Sequence, residues 1–116
     1  MSHRCVVDVA DEDGALRIRV IGEVDMACAA TLEETIVSAP VPPGGKVLLD
    51  MADVAFIDSA GISAIIGAHK KRVAEGIPVT LVEVPPLVGQ LLKLTGVDTY
   101  LEVAHQDLDE RSAGTA

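Results

Sequence analysis

Aromatic side chains are almost absent from this 116-residue chain: Phe56 and Tyr100 are the only two, and Trp is missing. A stacking platform for single-stranded nucleic acid needs several exposed rings, so that class of function is disfavoured. Positive charge is also scarce. Nine Lys and Arg stand against eighteen Asp and Glu, for a formal charge of −9. Such a surface repels nucleic-acid phosphates and anionic lipids, and its electrostatic complement is a protein with a basic face. No apolar run approaches the ~18 residues that would suggest a membrane span. The N-terminus lacks the basic-then-apolar layout of a signal peptide, so a cytoplasmic protein is expected. The two cysteines, Cys5 and Cys28, lack metal-ligand spacing. They read as a strand residue and a helix residue, and free thiols in a reducing compartment are the expectation.

What is present is an aliphatic chain long enough for one domain with a real core. Arg4 to Ala10 reads as a strand with Cys5, Val7 and Val9 on one face. Asp11-Glu12-Asp13-Gly14 is a turn signal. Ala15 to Ile21 alternates, with Leu16, Ile18 and Val20 facing one way and Arg17 and Arg19 the other, so the two runs form an antiparallel hairpin. Asp25 suits the N-cap of a helix from Met26 to about Ser38, with Ala29, Leu32 and Ile36 inward. Pro40, Pro42, Pro43, Gly44 and Gly45 make the return loop.

Lys46 to Met51 is a short apolar run suited to a central strand, and Val54 to Ile57 is apolar too. A second helix is expected from about Asp58 to Glu75, with Ile62, Ile65, Ile66, His69 and Val73 near one face. Lys70, Lys71 and Arg72 would complement the helix dipole, and Gly76 would stop the helix. Val79 to Val84 completes a βαβ unit, expected to be parallel and right-handed. Pro85 and Pro86 open a third helix with Val88, Leu91, Leu92 and Leu94 as apolar positions, ended by Gly96. Tyr100 to Val103 is a short last strand or an extended segment. The expected fold is α/β: a mixed sheet of four to five strands with helices packed against it, in the order β-β-α-β-α-β-α. One domain over residues 1–104 and a polar, flexible tail over 105–116 complete the expectation.

Chemistry concentrates at Asp58-Ser59-Ala60-Gly61, where an apolar segment passes into a helix. The open end of that helix has unpaired N–H groups and partial positive charge. A phosphate on Ser59 would be tolerated there while adding about −1.5 to −2 charge at one point. The alternative is capping, since Ser and Asp are common at helix openings, and spacing alone favours it. Asp25 has the same alternative, and Asp50 could hold a loop through backbone hydrogen bonds. Catalysis has little support. Ile57 stands where a nucleophile elbow needs Gly. His69 lies about 15 Å along the helix from Ser59, too far to act as its base. His3 and His105 sit near the termini. There is no phosphate-binding Gly-rich loop with Lys, no metal-ligand cluster, and no cofactor is expected.

Val47-Leu48-Leu49-Asp50 followed by Phe56-Ile57-Asp58-Ser59-Ala60-Gly61-Ile62 resembles the core of the STAS domain family. Gly22-Glu23-Val24-Asp25 is similar to that family's upstream segment. Pro86, Leu91, Leu92 and Thr95-Gly96-Val97 are similar to its third-helix region. The resemblance spans residues 4 to 103 and implies a bacterial anti-sigma factor antagonist of sporulation or stress control. By that resemblance, the unphosphorylated protein binds an anti-sigma factor that is also a serine kinase and so frees a sigma factor. Phosphorylation of Ser59 ends binding, and a serine phosphatase reverses it. ATP belongs to the kinase, so this chain would not be an enzyme. Asp58 would be the acidic neighbour of Ser59, Asp25 would lie beside the site, and Gly61, Ile62 and Ser63 would belong to the presented helix surface. Ala60 and Ser63 depart from residues frequent in the family, a second hydroxyl and a Gly respectively. A STAS adaptor of a transport or stressosome-like complex, with Ser59 merely structural, is the alternative. A small hydrolytic or ligand-binding α/β protein is a third reading, which the missing base disfavours. The oligomeric state is left open.

Overall fold

The computed structural model describes residues 5–105. Of the tail expected over 105–116, His105 instead ends the last strand, and residues 106–116 lie outside the described residues, as do residues 1–4. The elements are β1 (Val6–Glu12), β2 (Ala15–Val24), α1 (Met26–Ser38), β3 (Lys46–Ile57), α2 (Ser59–Ala74), β4 (Val79–Val84), α3 (Pro86–Thr95), a 3-10 turn (Val97–Thr99) and β5 (Glu102–His105). The five strands lie in one sheet in the order β1-β2-β3-β4-β5. β1 is antiparallel to β2, and every later pairing is parallel. The expected α/β architecture is therefore present, with β5 as a true strand pairing with β4.

The β1–β2 turn is tighter than the acidic cluster implied. Glu12 pairs with Ala15, so only Asp13 and Gly14 remain in the loop. Both have positive φ, 42° and 83°, which is the backbone of a two-residue hairpin whose twist matches its strands. Strand β3 is also longer than expected and joins the two apolar runs without a break. Its register against β2 shifts between Arg19 and Ile21 and again between Gly22 and Glu23. These irregularities let the strand continue through Asp50 to Asp53, where strict alternation fails. Asp50 is buried and accepts from the Ala52 N–H at 2.9 Å, so it braces its own strand.

Alternation divides the sheet into two unlike faces. Leu16, Ile18, Val20, Val47, Leu49, Met51, Val79 and Leu81 are buried on the face the helices cover. The other face carries Arg17 and Arg19. Arg17 pairs with Asp50 and Glu12, each at 2.9 Å, and Arg19 pairs with Asp53 at 2.6 Å. Partial burial works against the Arg17 charge, but hydrogen bonds to Glu12 and Asp50 outweigh it and hold the guanidinium above its ordinary range.

Helix α1 presents Cys28, Leu32 and Ile36 to the core, one turn apart each time. Helix α2 is rotated relative to the expected face. Gly61, Ile62, Ala64, Ile65, Ala68 and Arg72 are buried, whereas Val73 is half exposed. The burial of Arg72 has a clear cause. Its Nε donates to the Ile36 carbonyl at 2.7 Å, Nη2 donates to the Ala39 carbonyl, and Nη1 meets Glu75 at 3.1 Å. Arg72 thus caps the carboxyl end of α1, a role distinct from complementing the dipole of its own helix. Lys71 meets Glu33 of α1 at 3.2 Å along the same seam. In α3, Val88, Gly89 and Leu92 are buried while Leu94 is open to solvent, and Gly96 closes the helix with φ 77°.

The expectation of free thiols is not met. Cys5 and Cys28 form a disulfide, with Cα atoms 5.9 Å apart. Pairing of Val6 with Ile21 brings Cys5 to the helix-covered side of the sheet edge, where the inward face of α1 carries Cys28. A separation of 23 residues in sequence concealed a contact made in space.

Candidate functional site

The carboxyl ends of β2 and β3 are in register, Val24 beside Ile57. The next residues, Asp25 and Asp58, therefore stand side by side, and each opens a helix. Asp25 accepts from the Ala27 N–H at 3.1 Å and Asp58 from the Gly61 N–H at 3.0 Å. The Asp58 N–H also donates to the Val24 carbonyl at 3.1 Å, joining the two strand ends. This junction has no room for a side chain at position 61. A Cβ there would lie 2.7 Å from the Val24 carbonyl oxygen and 2.6 Å from its side chain. Gly61 is required for the close approach of α2 to β2.

Because Asp58 is the cap, Ser59 is not. It is the first residue of α2, and it is exposed. Among the described residues its hydroxyl has no hydrogen-bond partner. The capping reading of Ser59 thus passes to its neighbour, and stability measurements separate the two. Asp58→Ala should cost about 0.5–2 kcal/mol in urea unfolding, whereas Ser59→Ala should stay within about 0.5 kcal/mol of the parent. Equal losses at both positions would contradict this assignment.

Ser63, one turn further along α2, is exposed as expected. Gly61 and Ile62 depart from expectation. Both are buried, Gly61 against Val24 and Ile62 in the core, so neither is part of the exposed face of α2. Two residues on the rim were not singled out by sequence. Met26, following Asp25, is 76% exposed, and Phe56, on the strand leading to Ser59, is 42% exposed. The sequence signal was available for Phe56, one of two aromatics at a strand end. The rim therefore combines two carboxylates, one free hydroxyl and exposed apolar groups. Among the described residues no group of three or more His, Cys, Asp or Glu is placed to hold a metal ion. No helix among them is long and apolar enough to cross a membrane.

The model of the STAS domain family matches residues 6–111. The chain belongs to the STAS domain family. Relatives of this STAS domain include the anti-sigma-B factor antagonist of Bacillus subtilis, 24% identical over 98 residues that cover 84% of this chain and 89% of the relative. The anti-sigma-F factor antagonist RsfB of Mycobacterium tuberculosis is 27% identical over 92 residues, covering 79% and 75%. Among solved structures, an anti-sigma factor antagonist from Mycobacterium paratuberculosis superposes with a TM-score of 0.77 at 28% identity, covering 98% of this chain and 96% of that one. The family resemblance read from the three sequence segments is thus established, together with its fold.

Proposed function

We propose that this STAS domain is an anti-sigma factor antagonist whose binding is controlled at Ser59. Unphosphorylated, it captures an anti-sigma factor and so frees the sigma factor that the anti-sigma factor holds. The anti-sigma factor acts as a serine kinase, transferring the terminal phosphoryl group of ATP to the Ser59 hydroxyl oxygen, and a serine phosphatase removes it. The STAS domain contributes a binding surface and an acceptor, not catalysis, and works in the cytoplasm.

The observation that carries this reading is the exposed, uncommitted Ser59 hydroxyl at the first position of α2, with Asp58 already serving as cap. Phosphate at that position removes no structural hydrogen bond and sits at the positive end of the helix, so the fold is expected to survive modification. Interface contact is another matter. A partner that covers Ser59 would bury the dianion, which cannot be done without the loss of its hydration. The acidic surface steers a basic partner from a distance, while the local contact at Ser59 decides whether docking completes.

The test is incubation of the full chain with ATP and an anti-sigma factor kinase, followed by intact mass. Addition of one phosphate to the parent and none to Ser59→Ala is the expected result. Equal labelling of both chains would place the acceptor elsewhere. No labelling of the parent by a kinase that it binds would favour an adaptor role in which Ser59 is structural.

A further inference from the structure

We propose that Cys5 and Cys28 form a thiol–disulfide exchange site whose oxidation state sets how firmly the opening turn of α1 is held beside Ser59. Cys5 immediately precedes β1, the edge strand, and is partly exposed. Cys28 is buried, in the first turn of α1. Their Cα separation of 5.9 Å lies within the range a disulfide spans.

The fold does not depend on the bond. No residue of β1 is buried, and the apolar core begins at Ala15. β1 is held to β2 by its own ladder from Val6 to Glu12. Breaking the bond therefore frees Cys5 ahead of that ladder and loosens the first turn of α1 at Cys28, and leaves the rest of the core in place. That turn is directly joined to the rim. The Cys28 N–H donates to the Asp25 carbonyl at 3.0 Å, and the preceding Val24 carbonyl accepts from Asp58 at 3.1 Å. Gly61 rests on the same Val24. Loosening α1 at Cys28 is thus felt at the two helix openings that frame Ser59.

A switch, as opposed to a permanent staple, follows from the compartment, and in this clause the inference rests on the proposed function. In a reducing cytoplasm, disulfides are usually transient. The oxidant is a low-molecular-weight disulfide such as glutathione disulfide. The Cys5 thiolate attacks one of its sulfurs and expels one thiolate. The Cys28 thiolate then attacks the Cys5 sulfur of the mixed disulfide and expels the second. The two cysteines lose two protons and two electrons, and the oxidant becomes two thiols. Cys5 is the entry point because it is the more accessible sulfur.

The experiment equilibrates the full chain in buffers of reduced and oxidised glutathione, quenches with acid and alkylates with N-ethylmaleimide in denaturant near neutral pH, which exposes the buried Cys28. Intact mass should show two alkyl groups at the reducing end and none at the oxidising end. Hydrogen exchange is then followed by mass spectrometry in both states. Reduction should speed exchange over residues 24–34 by at least about threefold and leave α3 unchanged, since only a local opening is released. Cys5→Ser should exchange like the reduced chain in every buffer. Two alkyl groups under all conditions would overturn the proposal. So would identical exchange over residues 24–34 in both states, or global unfolding on reduction, which would make the bond a staple. None of these readings involves a partner or a phosphate, so they succeed or fail independently of the role of Ser59.

Discussion

A chain carrying Ser59→Asp is expected to fold like the parent and to lose affinity for an anti-sigma factor by about ten- to a thousandfold, or about 1.4–4 kcal/mol. Folding is spared for a local reason. The side chain at the first position of α2 points to solvent and serves no cap, and an acid there suits the helix dipole. On the proposed function binding is not spared, because a partner docked over Ser59 must strip water from any charge placed there. Titration calorimetry measures the loss, and a melting curve checks the fold. Ser59→Ala, which adds no charge, should bind within about twofold of the parent. An Asp variant that binds as tightly as Ala would remove charge at this point as the means of control.

Arg72→Ala is expected to have the largest effect on stability, about 3 kcal/mol, equivalent to a melting temperature lower by about 10–20 °C. The substitution removes charge-assisted hydrogen bonds to the Ile36 and Ala39 carbonyls and leaves those acceptors unmet at the buried end of α1. Arg72→Lys keeps the charge but not the fork that reaches two carbonyls at once, so it should recover only about half of the loss. Arg72→Met, which fills similar space without donors, should behave like Ala. Thermal unfolding of the three variants checks the order. A shift below about 3 °C for Ala would mean that water replaces the guanidinium at no cost.

Arg72 also shows where reading the sequence stops. The chain announces its local events clearly. Alternation from Ala15 to Ile21, Asp25 before an apolar helix, and Gly96 after α3 each lead to the element observed, because each depends on neighbours within a few residues. The helix opening at Asp58-Ser59, the candidate site, was legible for the same reason. The division of labour within it was not, since Asp and Ser both cap helices and only the backbone at Asp58 and the close seat of Gly61 decide between them. Contacts made across the fold were also illegible. Arg72 reads as a cation in its own last turn until α1 is laid beside α2. Cys5 and Cys28 read as unrelated until the hairpin carries one beneath the other. Val73 and Leu94, apolar by type, lie on outward faces that helical spacing alone could not assign.

The strand order has a final consequence. The sheet runs from β1 to β5 without ever doubling back. Open parallel sheets form ligand crevices where successive crossovers leave in opposite directions, and small molecules bind at that switch point. Here each crossover steps onward in the same sense, so α1 and α2 open side by side and no such cleft parts them. The edge that carries Ser59 is consequently a ledge and not a cleft.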